Sequence, residues 1–189
     1  MIGGMSSTIV IGDGPAGLSA ALFLAKNDHH VTVYGGDETA MHWAHLHNYL
    51  GVPDTGGSAF QAVARKQVTD MGADMVEETV TAVRVDGDRF AVSTEGTGAD
   101  ASADYLIIAG GKTATSLAES LGIEGGPNGV DTDRDGRTGV DRVYVVGRLA
   151  KPNRSQAIIS AGAGASAALD ILSREAGDDV HDWDSPPKD

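Results

Sequence analysis

Residues 8–25 read TIVIGDGPAGLSAALFLA: a β-branched strand runs straight into Gly12-x-Gly14-x-x-Gly17 and then into an Ala/Leu-rich helix. Each glycine has a physical task in that pattern. Gly12 lets the chain turn tightly off the strand, and Gly14 leaves no side chain between the backbone and a pyrophosphate. Gly17 lets the helix lie close to the sheet, so that free N–H groups and the positive dipole end face the phosphates. Strand before and helix after supply the context that the glycine spacing alone lacks, and they predict dinucleotide binding over an incidental glycine-rich turn.

Outward from this unit, residues 31–34 read as the second strand, after a helix ending near residues 27–30, where His29 and His30 would serve the C-terminal dipole. Residues 35–57 are punctuated by Gly35, Gly36, Pro53, Gly56 and Gly57 and read as irregular. Residues 58–71 place Phe60, Val63, Val68 and Met71 at amphipathic spacing and predict a helix. ETVTAVRV (78–85) and FAVST (90–94) form a hairpin, followed by the apolar strands of DYLIIAGG (104–111) and VYVVG (143–147). Residues 112–140 read as the least ordered stretch, and residues 156–174 as a small-residue helix. The expected architecture is α/β, a three-layer Rossmann-like dinucleotide-binding domain with an inserted antiparallel hairpin or meander. Residues 1–176 form one domain, and 177–189 a solvated acidic tail.

Composition narrows the function classes. The chain has 189 residues and no cysteine, which excludes disulfides, thiolate metal sites and dithiol redox chemistry carried by its own side chains. Its formal charge of −13, with 20 Asp against 7 Glu and only 5 Lys, repels nucleic acid and anionic membranes and points to a salt-loving host. Residues 1–7 have neither a basic nor an apolar signal-peptide region, and no apolar run is long enough to span a bilayer, so a cytoplasmic location is expected.

The order of four segments resembles the two-dinucleotide-binding-domain flavoproteins and, within them, the thioredoxin reductases. These are GDGPAG (12–17), His47-Asn48-Tyr49-Leu50-Gly51, LIIAGG (106–111) and the long stretch GRTGVDRVYVVGRLAKPNRSQAIISAGAGASAALDI (136–171). Only 25 residues separate Gly111 from Arg137, too few for the nicotinamide domain that such reductases carry there. The chain therefore resembles the flavin domain alone, without the nicotinamide domain and its Cys-x-x-Cys. Gly162-x-Gly164-x-x-Ala167 could be a second fingerprint, but no strand ending in an acid follows it, and the reading favoured is that small residues let this helix lie against the cofactor and the first helix.

The resemblance implies FAD as cofactor. Its pyrophosphate would sit over Gly12, Asp13, Gly14, Pro15, Ala16 and Gly17, with Gly111 and Gly147 at strand ends and Asn48 beside the isoalloxazine. The helix beginning at Gln156 and Ala157 would aim N–H groups at the pyrimidine edge, where a positive helix end stabilises reduced flavin. Two positions depart from the family pattern. Gly35 stands where an acid accepts from the adenosine ribose, so that Asp37 or Glu38 would have to reach back; Arg148 stands where an Asp bonds a ribityl hydroxyl.

His42, His45 and His47, spaced i, i+3 and i+5, do not share a helical face cleanly, so no metal site is expected. His45 and His47 are instead candidates for proton handling beside the flavin. The leading expectation is a flavoprotein with a redox role, its reductant, NAD(P)H or a redox protein, supplied in trans, and dimerisation is implied by resemblance only. The alternatives are a non-catalytic nucleotide sensor or interaction module, and a NAD(P)-binding oxidoreductase subunit.

Overall fold

Residues 6–96, 100–111 and 114–184 are described by a computed structural model of the chain. The opening unit is β1 (Ser7–Ile11), α1 (Pro15–Lys26) and β2 (His30–Tyr34). A 3₁₀ turn (Ala40–Trp43) leads into the short pair β3 (His45–Leu46) and β4 (Thr55–Gly56), then α2 (Gly57–Asp70) and β5 (Asp74–Val76). An antiparallel meander follows, made of β6 (Val80–Asp86), β7 (Arg89–Thr94) and β8 (Ala101–Ala103). The chain continues through β9 (Tyr105–Ile108), α3 (Thr115–Ser120), the small pair β10 (Gly125–Gly126) and β11 (Gly129–Val130), β12 (Val143–Val145) and α4 (Ala157–Ala176).

The middle layer is a parallel sheet ordered β12-β9-β1-β2-β5. Its central strands are buried on both faces, which explains their continuous apolar runs. Alternation assigns each side chain a layer. Ile9, Ile11, Leu106, Ile108, Val143 and Val145 face a core shared with the meander and α3. Val10, Tyr105, Ile107 and Tyr144 face the opposite core, filled by α1, α4 and Val68 of α2. Helices, parallel sheet and antiparallel meander make three layers, as the sequence predicts. The chain leaves β1 toward β2 on one side and returns to place β9 on the other, so a topological switch point lies at the carboxyl ends of β1 and β9.

Several local expectations are corrected. Helix α1 stops at Lys26, and His29 serves no helix dipole: its Nε2 meets Thr8 Oγ1 at 2.8 Å, and burial holds its imidazole below the ordinary pKa, favouring the neutral ring. His30 opens β2. In α2 the expected apolar stripe fails, because Val63 and Met71 are 60% and 43% exposed while Gln61 is fully buried. The stretch expected to be least ordered holds α3 and the β10–β11 pair within its described residues. Much of the acidic segment after α4 is engaged rather than free: Lys26 Nζ bonds Asp182 at 2.9 Å and Asp184 at 2.6 Å, and Val180 packs against the helical core. Residues 185–189 lie outside the described residues.

Candidate functional site

At the switch point a groove of about 620 Å³ runs along the carboxyl ends of β1, β2, β9 and β12, within the range of small-molecule and cofactor sites. Gly12, Asp13, Gly14, Pro15 and Ala16 line one part of it; Gly111, Gly147, Arg148 and Ala157 line another. Two helices open onto this groove. Gly14 caps α1 and Gln156 caps α4, each without a side-chain hydrogen bond, and neither helix has an acid in its first turn. Uncapped N–H groups and two positive dipole ends therefore face a common space.

Close packing holds the two ends together. Gly12 adopts φ +107°, and a Cβ there would lie 2.8 Å from Gly110 N, so β1 turns against the end of β9. A Cβ on Gly17 would meet Gly12 O at 1.9 Å, and one on Gly164 would meet Ala16 O at 1.9 Å. The small residues of α4 thus bring its backbone onto α1, which is the packing role expected for residues 162–167.

Asp13 is the most elaborately held residue of the turn. Its buried carboxylate is paired with Arg65 Nη1 and accepts from Asp37 N at 2.9 Å, while its carbonyl accepts from the buried Gln61 Nε2 at 2.6 Å. Arg65 also donates to Glu77 at 2.6 Å. The carboxylate sits where a side chain on Gly35 would go, since a Cβ at Gly35 would come within 2.5 Å of Asp13 Cγ. An acid is therefore present beside the end of β2, supplied by the glycine-rich turn rather than by the strand.

Asp37 itself does not line the groove: its amide supports Asp13, and its carbonyl and carboxylate meet His42 Nε2 at 2.7 and 3.2 Å. Glu38 does line it. At the α4 end, Arg148 Nε approaches Ser155 Oγ at 3.3 Å, and among the described residues it has no ion-pair partner. Asn48 Nδ2 donates to Gln156 Oε1 at 3.0 Å, tying the 45–56 hairpin to the start of α4. Neither amide lines the groove, although Ala157, next to Gln156, does. Thr39, Met41, Glu77, Thr79, Leu117 and Ser160 line it and were not anticipated. Of these only Ser160 carried a usable signal, one helical turn past Gln156.

The histidine-rich segment is not helical where that matters. His45 opens β3, and pairing of Leu46 with Thr55 puts His47 opposite Asp54. His45 Nε2 bonds Asp54 Oδ1, His47 Nδ1 lies 3.4 Å from Asp54 Oδ2, and the two imidazoles stack with centroids 4.4 Å apart. The hydrogen bond from His45 holds the Asp54 carboxyl below the usual carboxylate range. His42 is elsewhere, on Ser58 and Asp37. None of the three histidines lines the groove.

The chain belongs to the pyridine nucleotide-disulphide oxidoreductase family, whose model matches residues 54–165. A thioredoxin reductase from Yarrowia lipolytica is 30% identical over 126 residues, covering 60% of this chain and 39% of that protein, so the chain spans about two fifths of that relative's length. Among solved structures, a thioredoxin reductase from Gloeobacter violaceus superposes with a TM-score of 0.81 at 16% identity, over 95% of this chain and 99% of that one. The atypical thioredoxin reductase TRi from Desulfovibrio vulgaris Hildenborough gives 0.81 at 16% identity, over 91% and 98%. The fold is thus thioredoxin reductase-like, in a chain with no cysteine. Among the described residues no helix is long and apolar enough to cross a membrane.

Proposed function

We propose that the groove binds FAD and that the protein is an oxidoreductase component whose reductant is supplied in trans. The observation that carries this reading is the convergence of two uncapped helix N-termini, α1 at Gly14 and α4 at Gln156, on one groove at the switch point. The donor set suits an anionic dinucleotide. Gly14 turns no side chain into the groove, and Ala16, in the uncapped first turn of α1, lines it. Glu38, which lines the groove, and Asp13, seated against Gly35, are the carboxylates that would lie near the adenosine end.

Bound FAD would supply the hydride and electron transfer. The protein's own contribution is orientation and electrostatics: the N-terminus of α4 biases the groove toward negative charge, and the Asn48–Gln156 amide pair joins the 45–56 hairpin to it. With no cysteine, thiol–disulfide chemistry would have to reside on a partner. NAD(P)H or a redox protein is the reductant this reading requires.

Equilibrium dialysis of the purified full chain against FAD tests the reading. One equivalent bound, with a flavin absorption spectrum, is expected; a colourless protein that takes up no FAD overturns it. Arg148, a cation in the groove at a family Asp position, favours a second reading as a nucleotide-binding sensor. Anaerobic NAD(P)H separates the two. Bleaching of bound flavin supports the oxidoreductase, and flavin that stays oxidised with every nicotinamide and protein reductant tried supports the sensor.

A further inference from the structure

We infer that His45, His47 and Asp54 form a binding site for a late first-row divalent transition cation, Zn²⁺ in the first instance. The site follows from strand geometry. Residues i and i+2 of an extended segment point to the same side, so His45 and His47 share a face on and just beyond β3. The antiparallel register, His45 with Gly56 and Leu46 with Thr55, brings Asp54 across from His47. Three donor groups from two arms of one hairpin are thereby gathered without help from any other element.

Their spacing suits a single ion. The donor atoms all lie within 4.8 Å of one another, and His47 Nδ1 is 3.4 Å from Asp54 Oδ2. Bonds of about 2.0–2.2 Å to one cation place neighbouring donors roughly 3–3.5 Å apart, so rotamer adjustments suffice. Two imidazoles and one carboxylate form a borderline donor set that suits Zn²⁺, Ni²⁺ or Cu²⁺ rather than Ca²⁺ or Mg²⁺. Three protein donors leave a coordination position open to water. All three side chains are exposed, so a cation reaches them without any rearrangement of the core. The inference is independent of FAD, because none of the three residues lines the groove.

Isothermal titration of the EDTA-stripped, tag-free full chain with Zn²⁺ tests this, with thermal melts alongside. The expected result is one equivalent bound and a melting midpoint raised by Zn²⁺. His45→Ala, His47→Ala and Asp54→Ala should each weaken binding by at least ~10-fold, since even outer-shell changes cost that much at metal sites. The three variants should melt as the parent does without metal, which shows they are folded. His42→Ala should bind as the parent does, because His42 is engaged by Ser58 and Asp37. No saturable Zn²⁺ uptake, or uptake that the three substitutions leave unchanged, overturns the site and leaves a plain hydrogen-bonded surface cluster.

Discussion

The two ends of the groove are built on opposite plans. At the α1 end, Oδ2 of the buried Asp13 is taken by Arg65 and Asp37 and its carbonyl oxygen by Gln61, and Gly12 is packed against the end of β9. At the α4 end, Arg148, Ser155, Asn48 and Gln156 are held among the described residues by surface hydrogen bonds of 3.0–3.4 Å. A pre-built end suits a part of the ligand that does not change during a reaction. A lightly held end suits the part where partners dock and specificity is tuned. The lesson is that preorganisation in this domain is concentrated in the first third of the chain, whereas α4 is positioned by its packing along α1 rather than by its own tip.

The most disruptive way to break the comparison is to separate the two helices. In Gly164→Val the new Cβ would start 1.9 Å from the carbonyl oxygen of Ala16, a backbone atom that cannot yield. A loss of at least ~4 kcal/mol is expected, in the range reserved for severe overpacking, read as a collapsed urea midpoint. A midpoint near the parent's would mean that α4 is not anchored through this contact. Arg65→Met comes next. It strips the cation from the buried Asp13 carboxylate and should cost about 3 kcal/mol, the scale for orphaning a buried charge. Adding Asp13→Ala to that variant should restore part of the loss, since no charge then remains to be paired; a fully additive double mutant would show that the two residues are not coupled.

These contrasts explain what was legible in the sequence. The apolar strands β1, β9 and β12 and the glycine spacing announce the parallel sheet and the switch point, because buried strands and close backbone approaches leave few residue choices. What escaped was polar and non-local. Gln61 and Arg65 look like ordinary surface positions of an amphipathic helix, yet they point inward because Asp13 must be satisfied, and Val63 is displaced to the outside. Gly35 reads as a missing acid until the carboxylate of Asp13 is seen in its place. The histidine segment has a helical spacing that places no metal site, whereas its local period in the structure is 2. Asp54 joins it only through the register of β3 with β4, which nothing in the spacing reveals.

A smaller effect sharpens the account of how α4 is held away from its tip. Asp170 bonds Tyr144 Oη at 2.6 Å and pairs with Arg137, tying the helix to β12. Burial works to raise its carboxyl, but the hydrogen bonds from Arg137 and Tyr144 outweigh it and hold the group below its ordinary value of 3.8. A depressed folded pKa contributes stability that is complete above the unfolded value and is lost as pH falls through the folded one. Asp170→Asn should therefore cost about 2 kcal/mol at pH 7, the scale for weakening a charge-assisted bond to a buried hydroxyl. The difference from the parent should narrow steadily below about pH 4, where the carboxyl of the unfolded chain takes up a proton before that of the folded one does. A gap that stays constant down to pH 2 would show that charge is not what holds the helix.

The smallest expected effect falls on binding alone. Arg148 lines the groove, is solvent-exposed, and has no ion-pair partner among the described residues, so replacing it should leave the fold intact. Arg148→Asp would put an acceptor where the family pattern has one, beside Gly147 at the end of β12. If the ribityl end of FAD reaches this position, one charge-assisted hydrogen bond is gained, worth roughly 1.5 kcal/mol or about tenfold in Kd. Flavin-fluorescence titration of parent and variant measures it directly. Tighter binding marks the α4 end as the adjustable half of the groove. Weaker binding would mean instead that the guanidinium pairs with phosphate, extending the anion site from α1 across to β12 and making the two ends more alike than their hydrogen bonding suggests.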